Sequence, residues 1–395
     1  MRARTRVVSS SVHPVVTPRR TGSLSVHIVV RLEASSGLIG WGEISDLDCY
    51  RMTAPDLTAI DESVRRMTVG FDPSLIAALH LRMSALLPDY RYCARTYPPF
   101  SLGSQLAAGI EMACYDLMGK DLDVPISDLL GGKVRDSFEV AYPIFTVSDD
   151  AGTAAAHLLV DECLASGMST FRYYVGDDLD ASRRFLEGVT NSYGNRISIK
   201  ALDFQGRRHW KDVLRFYSSL SHLKSTMPVA LLESPSWRED YEGMAELRRR
   251  VEPDIGEHAS SSSQMLRMLR AGAVDVFNIS IQSGGMYTAK RLFNLADGGG
   301  ARCLLGTTQE MSLGTAAGAH LAAVIDELAH PSDPAGPLLY TADVAVSPVR
   351  YTDGRLNVPS GPGLGVDVDE AQLVALAGDL AQWDKPAHGD RYVSH

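Results

Sequence analysis

Three carboxylates carry the chemistry this sequence offers: Asp203 in Leu-Asp-Phe-Gln-Gly, Glu233 in Leu-Leu-Glu-Ser-Pro and Glu257 in Asp-Ile-Gly-Glu-His. Each ends a short run that reads as a β-strand. If the three strands are parallel neighbours, the carboxylates converge on one rim. Bare negative charge gathered there repels itself and is costly to desolvate, and a hard divalent cation bound through oxygen relieves both terms. Few protein ligands and room for water suit Mg²⁺ better than Ca²⁺. One such residue alone would read as a solvated loop carboxylate; three in register on successive strands do not.

The elements that must position them repeat along the chain. Candidate strands at 139–144, 170–175, 197–203, 229–233, 254–257, 276–281 and 303–306 alternate with candidate helices at 151–166, 179–190, 209–221, 239–251, 260–271, 286–297 and 312–328. Seven successive βα units predict an α/β fold with parallel strands. No glycine-rich phosphate fingerprint follows the first strand, which favours a closed barrel over an open dinucleotide-binding sheet, with the strand C-termini as the active face. Ahead of the barrel, residues 24–44 alternate around a turn at Ser35-Ser36-Gly37 and predict an antiparallel hairpin, and 104–118 carry a helical pattern. The tail resumes strand-like alternation from about Ala342, reaches Gly361-Pro362-Gly363-Leu364-Gly365, and is expected to return to the N-terminal module. The expected organisation is an α+β module over 1–132, a barrel over 133–345 and a returning segment over 346–395.

Composition excludes several function classes. A formal charge of −10 over 395 residues, with no Lys/Arg run flanked by aromatics, argues against nucleic acid as a partner. Arg2, Arg4 and Arg6 have no apolar stretch behind them, and no run approaches the ~18 apolar residues of a membrane span, so neither export nor membrane insertion is expected. Cys49, Cys93, Cys114, Cys163 and Cys303 are odd in number and scattered without a C-x-x-C pair. That pattern indicates neither a disulfide framework nor a zinc site, and a reducing cytoplasm fits it best.

Beyond the three carboxylates, the stretches IEMACYDLMGKDLDVPISDLLGG (110–132), SGGMYTAKRL (283–292) and GPGLGVDVD (361–369) resemble the enolase superfamily, in the branch of mandelate racemase and the muconate lactonizing enzymes. The similarity runs nearly end to end. It implies a modified (β/α)7β TIM-type barrel under an N-terminal α+β capping domain completed by the C-terminal tail. It further implies Mg²⁺ on Asp203, Glu233 and Glu257, a small-molecule carboxylate substrate whose α proton is removed, and a homo-oligomer, dimer or octamer. Specificity in such proteins comes from capping-domain loops, here 17–24 and 46–52, where Arg19, Arg20, Tyr50 and Arg51 are polar enough to meet an anionic substrate.

The chain departs from that family at its acid and base groups. Where the second strand normally carries K-x-K, Arg172-Tyr173-Tyr174 stands. On the sixth strand, FNISIQSGG (277–285) has neither Lys nor Asp, and either Ser280 or Ile279 takes the place of the second base. Gly306 replaces the histidine of racemase-like members. Alternation turns Arg172 and Tyr174 inward and Tyr173 outward. An unperturbed tyrosine titrates near ~10, and both a guanidinium and a dication favour the phenolate, so Tyr174 is expected to act as base or, failing that, to hydrogen-bond a ligand. The Arg–Tyr pair resembles the mannonate dehydratases, although Asp203-Phe204-Gln205 replaces their aspartate-x-histidine.

Glu310 matches a glutamate of the muconate-lactonizing branch, and orients substrate, carries a proton or makes a salt bridge. His258 belongs to a Gly-Glu-His resembling acid-sugar dehydratases and is a substrate-binding candidate, although alternation points it away from the ligand. Gln205 and Gln282 either bond a polar ligand or cap the rim. The leading reading is a Mg²⁺-dependent lyase (dehydratase-like elimination) or isomerase acting on a small hydroxy or sugar-derived carboxylic acid. A single base suffices for syn elimination, which therefore outranks racemisation. The competing readings are a metal- and ligand-binding protein that has lost proton transfer, and lysine-independent chemistry such as decarboxylation.

Overall fold

The computed structural model describes residues 5–45, 56–87, 101–147 and 149–378. The N-terminal sheet is an antiparallel meander of β1 (Val7–Pro18), β2 (Leu24–Ala34) and β3 (Ile39–Ile44). Strand β1 escaped the sequence reading because its Ser-Ser-Ser-Val-His run lacks a continuous apolar face. Helices α1 (Leu57–Thr68), α2 (Ile76–Leu86) and α3 (Leu102–Leu122) follow. Helix α3 opens on a Ser101/Ser104 capping box and stops at Asp123, whose backbone is left-handed at φ 58°. It lies directly on β3 because that strand is Ile-Gly-Trp-Gly: a Cβ at Gly42 would stand 1.9 Å from the Gly109 carbonyl oxygen.

After the short helix α4 (Ile126–Leu129) and strand β4 (Ser137–Glu139), seven parallel strands form one sheet in chain order. They are β5 (Tyr142–Ile144), β6 (Thr170–Tyr174), β7 (Ser198–Asp203), β8 (Leu231–Glu233), β9 (Asp254–His258), β10 (Val276–Ile279) and β11 (Arg302–Leu305). The helices that follow them are α5 (Asp150–Ala165), α6 (Leu179–Tyr193), α7 (Trp210–Ser219), α8 (Tyr241–Arg248), α9 (Ser262–Ala271), α10 (Met286–Gly298) and α11 (Ser312–Ala323). Helices α5, α6, α8 and α9 start on an Asp or Ser whose side chain accepts a hydrogen bond from a first-turn N–H. The barrel axis is filled by Ala201, Leu231, Val276 and Leu304, all fully buried.

An extended segment closes the cylinder. Ala329 N donates to Cys303 O and Asp333 N to Leu305 O on one side, while Ser332 bridges Val140 and accepts from Ala141 N on the other. Its sequence, Ala-His-Pro-Ser-Asp, has no strand signature, and it is a strand position in pairing only. The fold is thus an α/β TIM-type barrel of seven regular strands plus this eighth segment, under a capping α+β domain.

The tail forms the short strands β12 (Tyr351–Thr352) and β13 (Arg355–Asn357), the latter paired with β4, and helix α12 (Glu370–Ala375). It then returns to the N-terminal module: Ile126 N donates to Gly363 O, Leu364 N to Asp116 Oδ1 and Val16 N to Leu376 O. Among the described residues no helix is long and apolar enough to cross a membrane.

Candidate active site

The strand register fixes which side chains meet at the barrel mouth. Tyr174 pairs with Asp203 and Asp203 with Glu233, so these three stand level on adjacent strands. Glu233 pairs with Gly256, one residue short of Glu257. The inward face of β9 therefore belongs to Gly256 and His258: a Cβ on Gly256 would meet the axial Leu231 at 2.9 Å, and His258 Nε2 lies 3.2 Å from Glu233 Oε1. This corrects the expected outward turn of His258. The count failed because β9 goes on pairing with β10 through His258 and the register sets Gly256 level with Glu233, which leaves the opposite face to Glu257. Its Oε1 accepts from Ser234 Oγ at 2.9 Å and from His258 N at 2.7 Å.

Between Asp203 and Glu233 stands a guanidinium. Arg172 Nη2 is 2.5 Å from Asp203 Oδ2 and 3.0 Å from Glu233 Oε1, Nη1 is 3.4 Å from Asp333 Oδ2, and the group lies 4.7 Å from the Tyr174 ring centroid. The three carboxylates consequently do not close on one point here. Among the described residues no three His, Cys, Asp or Glu side chains form a group that would ligate one ion. Arg172 separates the first two, and Glu257 turns to Ser234.

The donor chemistry nevertheless fits a hard cation. Glu233 Oε1 faces Arg172, Asn278 Nδ2 at 2.9 Å and His258, whereas its Oε2 is buried without a partner. Glu257 Oε2 is likewise buried and unpartnered. A buried carboxylate oxygen left bare costs more than the ~1–3 kcal/mol of a neutral group. Among the described residues Arg172 and Lys200 face three buried carboxylates, Asp203, Glu233 and Asp333, and Glu257, whose positive neighbours are His258 and the half-buried Arg238, adds a fourth, so negative charge is in excess and a divalent cation would balance it.

Titration follows the crowding. Burial pushes the Asp203 carboxyl up, to about 6, against the pull of Arg172 and with Glu233 adding to the rise. Burial acts on Glu233 too, but Arg172, His258 and Lys200 outweigh it and hold that carboxyl down at about 2. Glu257 is raised by burial. Arg172 is desolvated, yet Glu233, Tyr174, Asp203 and Asp333 keep it more firmly charged than an ordinary arginine.

Tyr174 is 5% exposed and stacks on Phe145 at 5.3 Å between centroids. Tyr173 points the other way, to Ser182 at 3.2 Å, and burial lifts its phenol to about 12. Gln205 donates its backbone N–H to Asp203 Oδ1 at 2.8 Å, and its Oε1 is buried without a partner. Gln282 is fully buried with neither amide atom bonded, and Ser280 Oγ caps the Gln282 N–H at 3.1 Å. Strand β10 ends at Ile279, and the residues once read as its end form a 3-10 turn at 281–283. The Glu310 carboxylate accepts from Thr307 Oγ1, Thr308 Oγ1 and Thr308 N, groups of its own loop, and burial raises its carboxyl. Gln205, Ser234 and Gln309 hold left-handed backbone at φ 59°, 44° and 61° just past β7, β8 and β11, which is local strain gathered on one rim.

Of the capping-loop candidates, Arg19 is buried, with Nη1 2.6 Å from Gln309 Oε1 and Nη2 3.1 Å from Ser25 Oγ. Arg20 pairs with Glu162 on the outside of α5. Tyr50 and Arg51 lie outside the described residues. The sequence reading missed Lys200, Asn278 and Asp333. Asp333 accepts from Lys200 Nζ at 2.6 Å and from Asn278 Nδ2 at 3.1 Å. Asn278 was findable, as a polar residue in period with the inward face of an apolar strand. Arg207, Arg208 and Arg238, all half-buried, and the exposed Trp237 line the loops after β7 and β8.

A closed barrel with acidic strand ends beneath a capping α+β domain defines a class of metal-dependent lyases and isomerases. The chain's residues 1–131 match the mandelate racemase / muconate lactonizing enzyme N-terminal domain, and 155–372 match the enolase C-terminal domain-like family. The chain belongs to the enolase superfamily, in the mandelate racemase and muconate lactonizing enzyme branch, and is an enzyme of that general class. It is 27% identical to the N-succinyl-L-Arg/Lys racemase of Bacillus cereus, covering 88% of this chain and 89% of that one. With the chloromuconate cycloisomerase of Cupriavidus pinatubonensis it shares 29% identity over 89% and 91% of the two chains. The structure of muconate lactonizing enzyme from Pseudomonas fluorescens complexed with muconolactone superposes with a TM-score of 0.82 at 25% identity, covering 95% of this chain and all of that one.

Proposed function

We propose that the chain is a Mg²⁺-dependent lyase or isomerase acting on a small hydroxy or sugar-derived carboxylic acid, with Tyr174 moving the α proton. The observation that carries this reading is the level row of Tyr174, Asp203 and Glu233 at the barrel mouth, with Arg172 against all three. Asp203, Glu233 and Glu257 would hold the ion, through oxygens of which Glu233 Oε2 and Glu257 Oε2 lack any other partner. Mg²⁺ when bound supplies Lewis-acid stabilisation of charge developing on the substrate carboxylate.

The residues of the chain do the rest. Arg172 sets a positive charge 4.7 Å from the centroid of the Tyr174 ring, and a neighbouring guanidinium favours phenolate over phenol as the proton acceptor. Phe145 stacks on that ring, and His258 holds Glu233 in place. The half-buried Arg207, Arg208 and Arg238 line the rim with positive charge in an otherwise acidic chain, which suits an anionic substrate. Glu310 in this reading fastens the loop after β11 and does not meet substrate.

Dehydration and cycloisomerisation make one shared demand: a single group moves a proton α to a carboxylate while a bond at the β carbon breaks or forms. Tyr174 meets it. The inward turn of His258 favours a second reading, in which Tyr174 and His258 serve opposite faces of one carbon and the reaction is racemisation or epimerisation, as the names of some relatives suggest. Incubation with acid sugars and N-acylated amino acids in D₂O with Mg²⁺ separates the two. Loss of a β substituent or ring opening supports the first reading, and interconversion of enantiomers with α-deuterium uptake supports the second. If no carboxylate in the panel reacts or exchanges, or if Tyr174→Phe reacts as fast as the wild type, the role of Tyr174 is lost.

A further inference from the structure

Arg172 is held by two acceptor sets of different kinds. At close range it holds Asp203 Oδ2 and Glu233 Oε1, oxygens of two carboxylates proposed above as metal ligands. At 3.4 Å it reaches Asp333 Oδ2, on the segment that closes the barrel and outside that ligand set. Asp333 is prepared for this task. Lys200 Nζ neutralises its Oδ1 side at 2.6 Å, leaving Oδ2 turned to the guanidinium. Asn278 Nδ2 bridges Asp333 Oδ2 and Glu233 Oε1 at 3.1 and 2.9 Å, which keeps the two acceptors side by side.

We propose that Arg172 is an internal counter-ion that trades places with the metal: it yields Asp203 and Glu233 to the ion and withdraws onto Asp333, the positioning residue of the exchange. The inference rests on the metal assignment made under the proposed function. On Asp203 the guanidinium holds Oδ2 and the Gln205 N–H holds Oδ1, so an ion with its ~2.1 Å bond to oxygen competes there for space, and an ion on the bare Oε2 of Glu233 stands beside the guanidinium on Oε1 and repels it. A guanidinium buried this deeply cannot simply be released, because an unpaired charge in the interior is prohibitive. Asp333, already 3.4 Å away, gives it a third carboxylate that lies outside the ligand set. No bond is made or broken covalently, and no proton or electron moves.

The test is Mn²⁺ binding to the full chain, followed by electron paramagnetic resonance or calorimetry, with circular dichroism and melting temperature as folding controls. Arg172→Met removes the competitor and is expected to bind Mn²⁺ ~10-fold tighter, and Asp333→Asn removes the refuge and is expected to bind ~10-fold weaker, within the range of ordinary site-to-site coupling. In the double variant the loss caused by Asp333→Asn should vanish, since no guanidinium is left to receive. If Arg172→Met does not fold, Arg172→Lys serves in its place, and the loss on Asp333→Asn should shrink in that background. Affinities that fall in both single variants, stay unchanged in both, or fall equally with Asp333→Asn whether or not Arg172 is present would overturn the exchange. Absence of Mn²⁺ binding in every variant sinks the metal assignment and the exchange together, whereas equal tight binding throughout sinks the exchange alone.

Discussion

The buried carboxylates of the capping domain and those of the barrel mouth are treated differently. At the seam between the capping domain and the barrel, Glu43 accepts from His27 Nδ1 and Met311 N on one oxygen and from Gly314 N on the other. Glu111 takes Tyr287 N on Oε1 and His80 on Oε2, and Asp116 takes Leu364 N on one oxygen and Trp41 N and Lys120 on the other. Met311, Gly314 and Tyr287 mark the N-termini of α11 and α10, where unpaired N–H groups and the helix dipole favour negative charge. Glu43 and Glu111 thus fasten the capping domain to the barrel by docking on helix starts, while Asp116 ties the returning tail to α3 and β3. At the mouth, Glu233 and Glu257 each keep one buried oxygen bare. A carboxylate satisfied on both oxygens fastens the fold, and one satisfied on a single oxygen is built for a partner that the chain does not supply.

The contrast breaks most visibly if the two sets are exchanged in function. Glu233→Gln is expected to cost at least ~10³-fold in Mg²⁺-dependent turnover or α-deuterium exchange, with a modest fall in melting temperature, because the amide keeps the shape of the site but loses the charge paired with Arg172. Tyr174→Phe should cost ~10²–10⁴-fold through loss of the proton carrier while Mn²⁺ still binds. A fall in melting temperature as large as the fall in rate would place Glu233 among the fasteners.

Glu43→Ala is the complementary experiment. It strands two backbone N–H groups and His27 in the interior, and a loss of ~3–5 kcal/mol is expected, as for removal of one partner from a buried polar pair. Urea denaturation measures it. Metal affinity of the folded fraction should be unaltered.

The same contrast marks how far the sequence could be read. Period-two and period-3.6 patterns are set by burial, so the seven βα units and the carboxylates at the ends of the third, fourth and fifth strands were legible from residues such as Ile199, Ala201 and Asp203. The closing segment was not, because Pro331 and two polar neighbours hide a pairing made by only a few backbone hydrogen bonds. Strand alternation oriented Arg172 and Tyr174 correctly but failed for His258, since it was counted from Glu257, whereas the register sets Gly256 level with Glu233. The role of Asp333 was invisible for a further reason. Its partners Arg172, Lys200 and Asn278 lie on three different strands, and no local spacing encodes a long-range network.

A smaller effect concerns His320, buried within α11 with Nε2 donating to Leu364 O at 3.1 Å. Burial depresses its pKa from 6.5 to about 4. Between those values the unfolded chain binds the proton and the folded chain does not, so stability rises with pH through that window. The contribution is fully present above pH ~6.5 and is lost as the pH falls toward ~4, by roughly 3 kcal/mol if the shift is taken whole. His320→Gln keeps a donor for Leu364 and removes the titration. Its melting temperature should therefore fall less steeply than that of the wild type between these pH values. Parallel slopes would show that the seam around α11 does not exclude the proton.

The smallest effect separates two neighbours that look alike in the sequence. Arg19 is 4% exposed and joins Ser25 to Gln309 across the domain seam, with its guanidinium 5.1 Å from the Tyr340 ring centroid. Arg20 leaves half of its side chain in solvent and pairs with a Glu162 that is 60% exposed, at the edge of a cavity of about 370 Å³ between α5 and β5. An ion pair this wet gains little Coulomb energy over its separate hydration and loses side-chain entropy, so Arg20→Ala should shift stability by no more than ~1 kcal/mol. Arg19→Ala should cost several times as much, because it leaves Gln309 Oε1 without its buried donor. If Arg20→Ala instead weakens substrate affinity tenfold, the loop after β1 reaches the ligand by a route other than the seam, and the division between fasteners and site would have to be redrawn to include it.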